Sequence, residues 1–215
     1  MAREFLFSVM VLAFLHVPTA QASGRIDEAA TLVARNCPAV TSEALSGVDL
    51  RELVSDGRLA AEVWISGEFV PDIRITLWEA EGESTAEVAQ TSAEAGRVCE
   101  QLRRMYRSNP GLAPEEAAES IKTTVKTYTG VTHPELRHLL EALRGLHVRT
   151  DLSSSIFFPN RSTVLRVTDG YEELSVRFNR PEPTADGVAY SGEIVSSQLE
   201  VSQWVNRLTH ILGLP

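Results

Sequence analysis

The residues able to do chemistry are few, and their spacing argues against most of it. His133 and His138 stand five apart, about 140° around an ideal helix. A two-histidine metal face needs a separation of four, and Glu135 does not restore it. His138 and Glu141 are three apart and fit an ordinary surface pair. Ser153, Ser154 and Ser155 form a polar run with no Gly-x-Ser-x-Gly elbow around them, so no strained turn is signalled to present a nucleophile. The P-loop and the Gly-x-Gly-x-x-Gly fingerprint are both missing, which removes the backbone cradles for phosphates. Glu79, Glu81 and Glu83 alternate near a turn without the ligand rhythm or length of a calcium loop. Carboxylates are abundant, however, and folding can bring a hydrolytic pair together from distant positions. The sequence points to no catalytic residue, no metal ligand and no cofactor.

Cys37 and Cys99 form a pair without Cys-x-x-Cys spacing or an adjacent histidine. In an oxidising compartment an even count of this kind reads as one structural disulfide. It would close a loop of about 60 residues, worth roughly 4 kcal/mol in the chain-entropy model. Trp64 and Trp78 occupy the polar phase of two strand-like runs, opposite the aliphatic phase. If that face is open, they offer an aromatic surface to a partner peptide or glycan. If it is covered, they are core.

The compartment follows from residues 1–22. A short charged start precedes an apolar run at 5–17, Pro18 breaks the run, and Ala20 and Ala22 supply the small residues that a signal peptidase requires. This is the pattern of a cleavable secretory signal, too short to be a comfortable membrane span. The expected location is therefore the periplasm in a bacterium and the extracellular space otherwise, with no integral span after cleavage. The net charge of −9 repels nucleic acid and anionic lipid, so no nucleic-acid partner is expected. Of the 20 basic residues, only Lys122 and Lys126 are lysines. Asn160-Arg161-Ser162 is a glycosylation sequon that matters only in a eukaryotic host.

The elements that would position these residues alternate between the two periods. A helical stripe of Ile26, Ala29, Ala30, Val33 and Cys37 ends at Pro38, and a less regular helix is expected over 42–55. Residues 61–65 and 73–77 alternate as strands, with a third short strand at 86–90. Thr91 and Glu94 match a capping box opening a helix that carries Val98, Leu102 and Met105. Asn109-Pro110-Gly111 marks a boundary. Beyond it the pattern predicts a helix at 114–128 with Val125 and Tyr128 inward, then a helix on Leu136, Leu139, Leu140 and Leu143 behind a Thr132–Glu135 capping box. Strands at 155–158, 163–168, 171–179 and 188–196 follow, with a two-residue hairpin at Asp169-Gly170. The last stripe is Val201, Trp204, Val205, Leu208, Ile211 and Leu212.

Residues 87–105 and 193–211 also correspond at an offset of 106, which suggests a duplication. The expected fold class is α+β: small antiparallel sheets with helices packed on one face, arranged as two tandem α-α-β-β-β-α modules at 23–109 and 110–215. The expected function is a non-enzymatic, exported protein-interaction or assembly module, whose exposed strand edges suit β-augmentation by a protein partner. The alternatives are an exported hydrolase using dispersed carboxylate or histidine residues, and a carrier of a small apolar ligand.

Overall fold

The computed structural model describes residues 19–54, 58–67, 69–146, 162–179 and 199–214. Among them the order is α1 (Thr19–Ala44), β1 (Ala60–Ser66), β2 (Pro71–Ala80), β3 (Glu83–Glu94), α2 (Ala95–Ser108), α3 (Pro114–Glu119), β4 (Thr123–Thr129), α4 (Glu135–Leu143), β5 (Ser162–Thr168), β6 (Glu173–Asn179) and α5 (Leu199–Ile211). The fold is α+β. Its strands form one six-stranded antiparallel sheet in the order β4-β3-β2-β1-β5-β6.

Strand alternation divides the sheet into two unlike faces. Val63 lies opposite Ile75 on one side and Leu165 on the other. Together with Ala61, Ile65, Ile73, Leu77, Val88, Val176 and Phe178 they make an apolar face. Leu136, Leu139, Leu140 and Leu143 of α4 and Val201, Trp204, Val205 and Leu208 of α5 cover it. Each such side chain contributes about 1.5–3 kcal/mol by leaving water. Trp204 also donates from Nε1 to the Leu139 carbonyl at 2.9 Å, which fixes α5 against α4.

A second core joins α1, α2 and α3. Val33, Cys37 and Val40 pack with Val98, Leu102, Tyr106, Ala117, Ala118 and Ile121. Cys37 and Cys99 form the expected disulfide, with Cα atoms 5.7 Å apart. Beyond α1 the segment 45–54 crosses the sheet's polar face, where Leu45 and Leu50 are buried.

Several local expectations are corrected. Strands from both sides of position 109 join one sheet rather than two small ones, since β4 pairs with β3 and β5 with β1. The tandem modules are thus not confirmed. The matched helices α2 and α5 also pack into different cores. The helix expected over 114–128 stops at Glu119, and β4 begins at Thr123. Thr123, Thr124, Val125, Thr127 and Thr129 are β-branched and suit a pleated surface, and the 12-residue β3 offers them a ladder. Val125, expected inward, is 59% exposed.

Thr91 is not a helix cap. It lies in β3, where its hydroxyl accepts the Asp72 N–H at 3.0 Å and donates to the Ala93 carbonyl at 2.8 Å. Thr132 likewise donates to the Thr129 carbonyl at 3.1 Å and leaves α4 uncapped by a side chain. Pro38 sits inside α1, which continues to Ala44, and the rest of the expected helix over 42–55 is turns and irregular chain as far as residue 54. The β5–β6 loop takes four residues rather than two: Asp169 Oδ1 accepts the Tyr171 and Glu172 N–H groups, and Gly170 adopts φ +91. Residues 1–18 of the expected signal, the strands at 155–158 and 188–196, and Asn160 lie outside the described residues.

Candidate functional site

The polar face of the sheet carries the densest charge. Glu62 and Arg74 are both buried, with an Arg74 Nε to Glu62 Oε2 distance of 2.6 Å. Arg74 also donates to the Leu45 carbonyl at 3.3 Å and the Val48 carbonyl at 3.0 Å. On the far side Arg166 donates to Glu62 Oε1 at 3.0 Å and to Glu173 Oε1 at 2.8 Å. Arg51 completes the chain to Glu173 at 3.4 Å. The hydrogen bond from Arg166 holds the Glu173 carboxyl below its usual range, and Glu173 in turn raises Arg166.

Gly47 permits the close approach of segment 45–54 to this cluster. A Cβ there would overlap Arg74 Nη1 and lie 3.4 Å from Glu87 Oε1. The groove above holds about 300 Å³. Its guanidinium groups already serve internal carboxylates and carbonyls, so the cluster acts as a strut fastening 45–54 to the sheet. Removing one partner of such a buried pair is costly, which makes it a poor place for ligand exchange.

Trp64 and Trp78 both lie on this face, half-buried. Trp64 pairs with Arg74 across the strands, and the guanidinium carbon sits 5.9 Å from its ring centroid. Trp78 is four residues further along β2, about 13 Å away at the strand rise. Glu62 and Thr76 occupy the row between. The two indoles do not form one platform, and only Trp64 lines the groove.

The other titratable groups are dispersed. His133 Nδ1 lies 2.8 Å from Thr132 Oγ1, and its ring meets the Tyr128 ring edge-on at 5.2 Å. His138 and His210 are exposed. Among the described residues no group of three His, Cys, Asp or Glu side chains could hold a metal ion. Asp72 is buried at the seam between α1 and the sheet. Desolvation raises its pKa, which hydrogen bonds from Ser66 and Thr41 partly counter, and its Oδ1 has no partner. An open groove of about 370 Å³ between α1 and α2 is lined by Val33, Ala95, Gly96, Cys99, Glu100 and Arg103. No helix among the described residues is long and apolar enough to cross a membrane.

A further feature is the outer edge of β4, one of the two end strands of the sheet among the described residues. Ser92 donates to the Lys122 carbonyl at 2.8 Å, and Gly130 donates to the Ser84 carbonyl at 2.7 Å. Antiparallel pairs alternate between bonded and non-bonded residues. With this register, Thr124, Lys126 and Tyr128 therefore turn their backbone groups to β3. Thr123, Val125 and Thr127 turn theirs outward, where no strand lies among the described residues. All three side chains are exposed. At the end of the strand the Thr129 carbonyl is occupied by the Thr132 and His133 N–H groups.

Lys122 and Lys126, the two lysines of the chain, flank this edge; both are exposed and have no ion-pair partner among the described residues. Reading the segment as a helix hid the arrangement. The usable signal was a β-branched run holding both lysines, since edge strands commonly carry lysine. Compared with protein-family models, with curated proteins and with solved structures, the chain matches none.

Proposed function

We propose that this chain is a non-enzymatic, exported interaction module that receives an extended segment of a protein partner along the outer edge of β4. The observation that carries the reading is that Thr123, Val125 and Thr127 are exposed and turn their backbone groups away from β3, on a seven-residue strand that ends the sheet among the described residues. Such an edge provides main-chain hydrogen bonds to any extended segment, while alternate side chains provide selectivity. The Cys37–Cys99 disulfide is consistent with an oxidising, exported setting. The buried charge cluster fits the same reading, because it stiffens the sheet from β2 to β6 rather than offering a reactive group.

A photo-crosslinking residue placed at Val125 in the native host tests this reading. The expected result is a discrete adduct with a protein, lost when Thr127→Pro removes an outward N–H. Proline is tolerated where the missing N–H faces away from the sheet. No adduct at position 125, or the same adduct after Thr127→Pro, contradicts the reading.

A further inference from the structure

The edge of β4 also has a charge preference, and this step rests on the docking reading above. Lys122 and Lys126 are four residues apart, so they stand on the same side of the strand, about 13 Å from one another. Lys126 pairs with Val88, which belongs to the apolar face. Val125, on the other side of the strand, is 59% exposed and is the apolar residue of the outward-facing trio. An incoming strand therefore meets, on one side, two ammonium groups without an ion-pair partner among the described residues and, on the other, an exposed valine between them.

A second copy of this chain is a poor occupant. Antiparallel pairing of two β4 edges must join their outward residues. If Val125 faces its own counterpart, Lys126 lies diagonal to both lysines of the other copy. Moving the register by one bonded pair sets Lys126 against Lys126 in one direction and Lys122 against Lys126 in the other. Like charges opposite one another destabilise a strand pair. The lysines thus discourage self-association while leaving the edge open to a strand of opposite charge.

We infer that the partner segment is an extended acidic peptide, with carboxylates four residues apart facing Lys122 and Lys126 and an apolar residue between them packed on Val125. Cross-strand ion pairs contribute modestly, so two of them set a preference of about tenfold at low salt.

The test titrates the full chain with labelled nine-residue β-forming peptides. One carries Glu at two positions four apart, one carries Lys there and one carries Gln. The variants are K122E/K126E and Val125→Pro, with circular dichroism to confirm that each is folded. The expected result is that the Glu peptide binds about tenfold tighter than the Lys peptide, less so in high salt. K122E/K126E should reverse the order, and Val125→Pro should abolish binding. Equal binding of all three peptides, with Val125→Pro still blocking them, overturns the acidic preference and leaves the edge reading standing. An acidic preference that survives Val125→Pro, or no binding of any peptide up to millimolar concentration, overturns both. Concentration-dependent dimerisation that Val125→Pro abolishes would identify a second copy as the occupant and also overturn the inference.

Discussion

Arg74→Met tests the strut beneath segment 45–54. Arg74 and Glu62 are 4% and 3% exposed, so this pair lies well inside the range where water no longer screens it. Loss of the guanidinium leaves Glu62 with Arg166 alone, whose side chain is 37% exposed, and removes the donors to the Leu45 and Val48 carbonyls. Removing one partner of a buried pair costs about 3–5 kcal/mol. With a urea slope of about 2 kcal/mol/M for a domain of this size, the midpoint should fall by about 2 M. Removing both charges by combining Arg74→Met with Glu62→Leu should recover at least about 1 kcal/mol, because no uncompensated carboxylate stays buried. Arg166 would still hold Glu173. Equilibrium urea unfolding followed by tryptophan fluorescence and by circular dichroism reads all three proteins. A single-variant loss under about 1 kcal/mol, or a double variant less stable than the single, would refute the strut.

The remaining predictions concern other parts of the fold. Gly47→Ala should cost about 1–3 kcal/mol by the same assay, because the added methyl displaces Arg74; an unchanged midpoint would show that 45–54 does not approach so closely. Asp72→Asn should stabilise the protein at neutral pH. The folded carboxyl has a raised pKa, so its protonated form favours folding below the ordinary value of about 3.9 and that contribution is lost as pH rises through the folded pKa. The gain from asparagine should therefore shrink toward zero as the unfolding experiment is moved to low pH, and a gain independent of pH would be contrary to this origin. Replacing Cys37 and Cys99 together by serine should cost about 4 kcal/mol, from the 62-residue separation they close. A loss under about 1 kcal/mol would mean that α1 and α2 are held by packing alone.

How legible these features were in the sequence depended on whether one periodic signal acted alone. Val63 and Ile65, Ile75 and Leu77, the leucines of α4, and Val201, Trp204, Val205 and Leu208 of α5 follow a single period, and they form the apolar core as expected. Cys37 and Cys99 were paired by count and context, and they bridge. The segment at 114–128 went astray because Ala117, Ala118, Ile121 and Val125 mimic a helical stripe across a helix and a strand. There the tertiary need of β3 for a neighbour outweighed the pattern. Thr91 and Thr132 looked like caps, yet their hydroxyls serve a strand and a turn. The ion pair of Glu62 and Arg74 had no signal in the sequence, because nothing local announces that 45–54 folds over that strand face. The strand phase put Trp64 and Trp78 on the polar side of the sheet, while the distance between them depends on the register between β1 and β2, which the sequence does not carry.

Residue-resolved amide hydrogen exchange along β4, in the free protein and with the acidic peptide, tests the docking edge most directly. The account predicts an alternation in the free state: Thr124, Lys126 and Tyr128, bonded to β3, exchange slowly, while Thr123, Val125 and Thr127 exchange fast. The peptide should then protect those three amides at least about tenfold and leave their neighbours unchanged. Protection of Thr123, Val125 and Thr127 before any peptide is added, or peptide binding that leaves them fast, would contradict it.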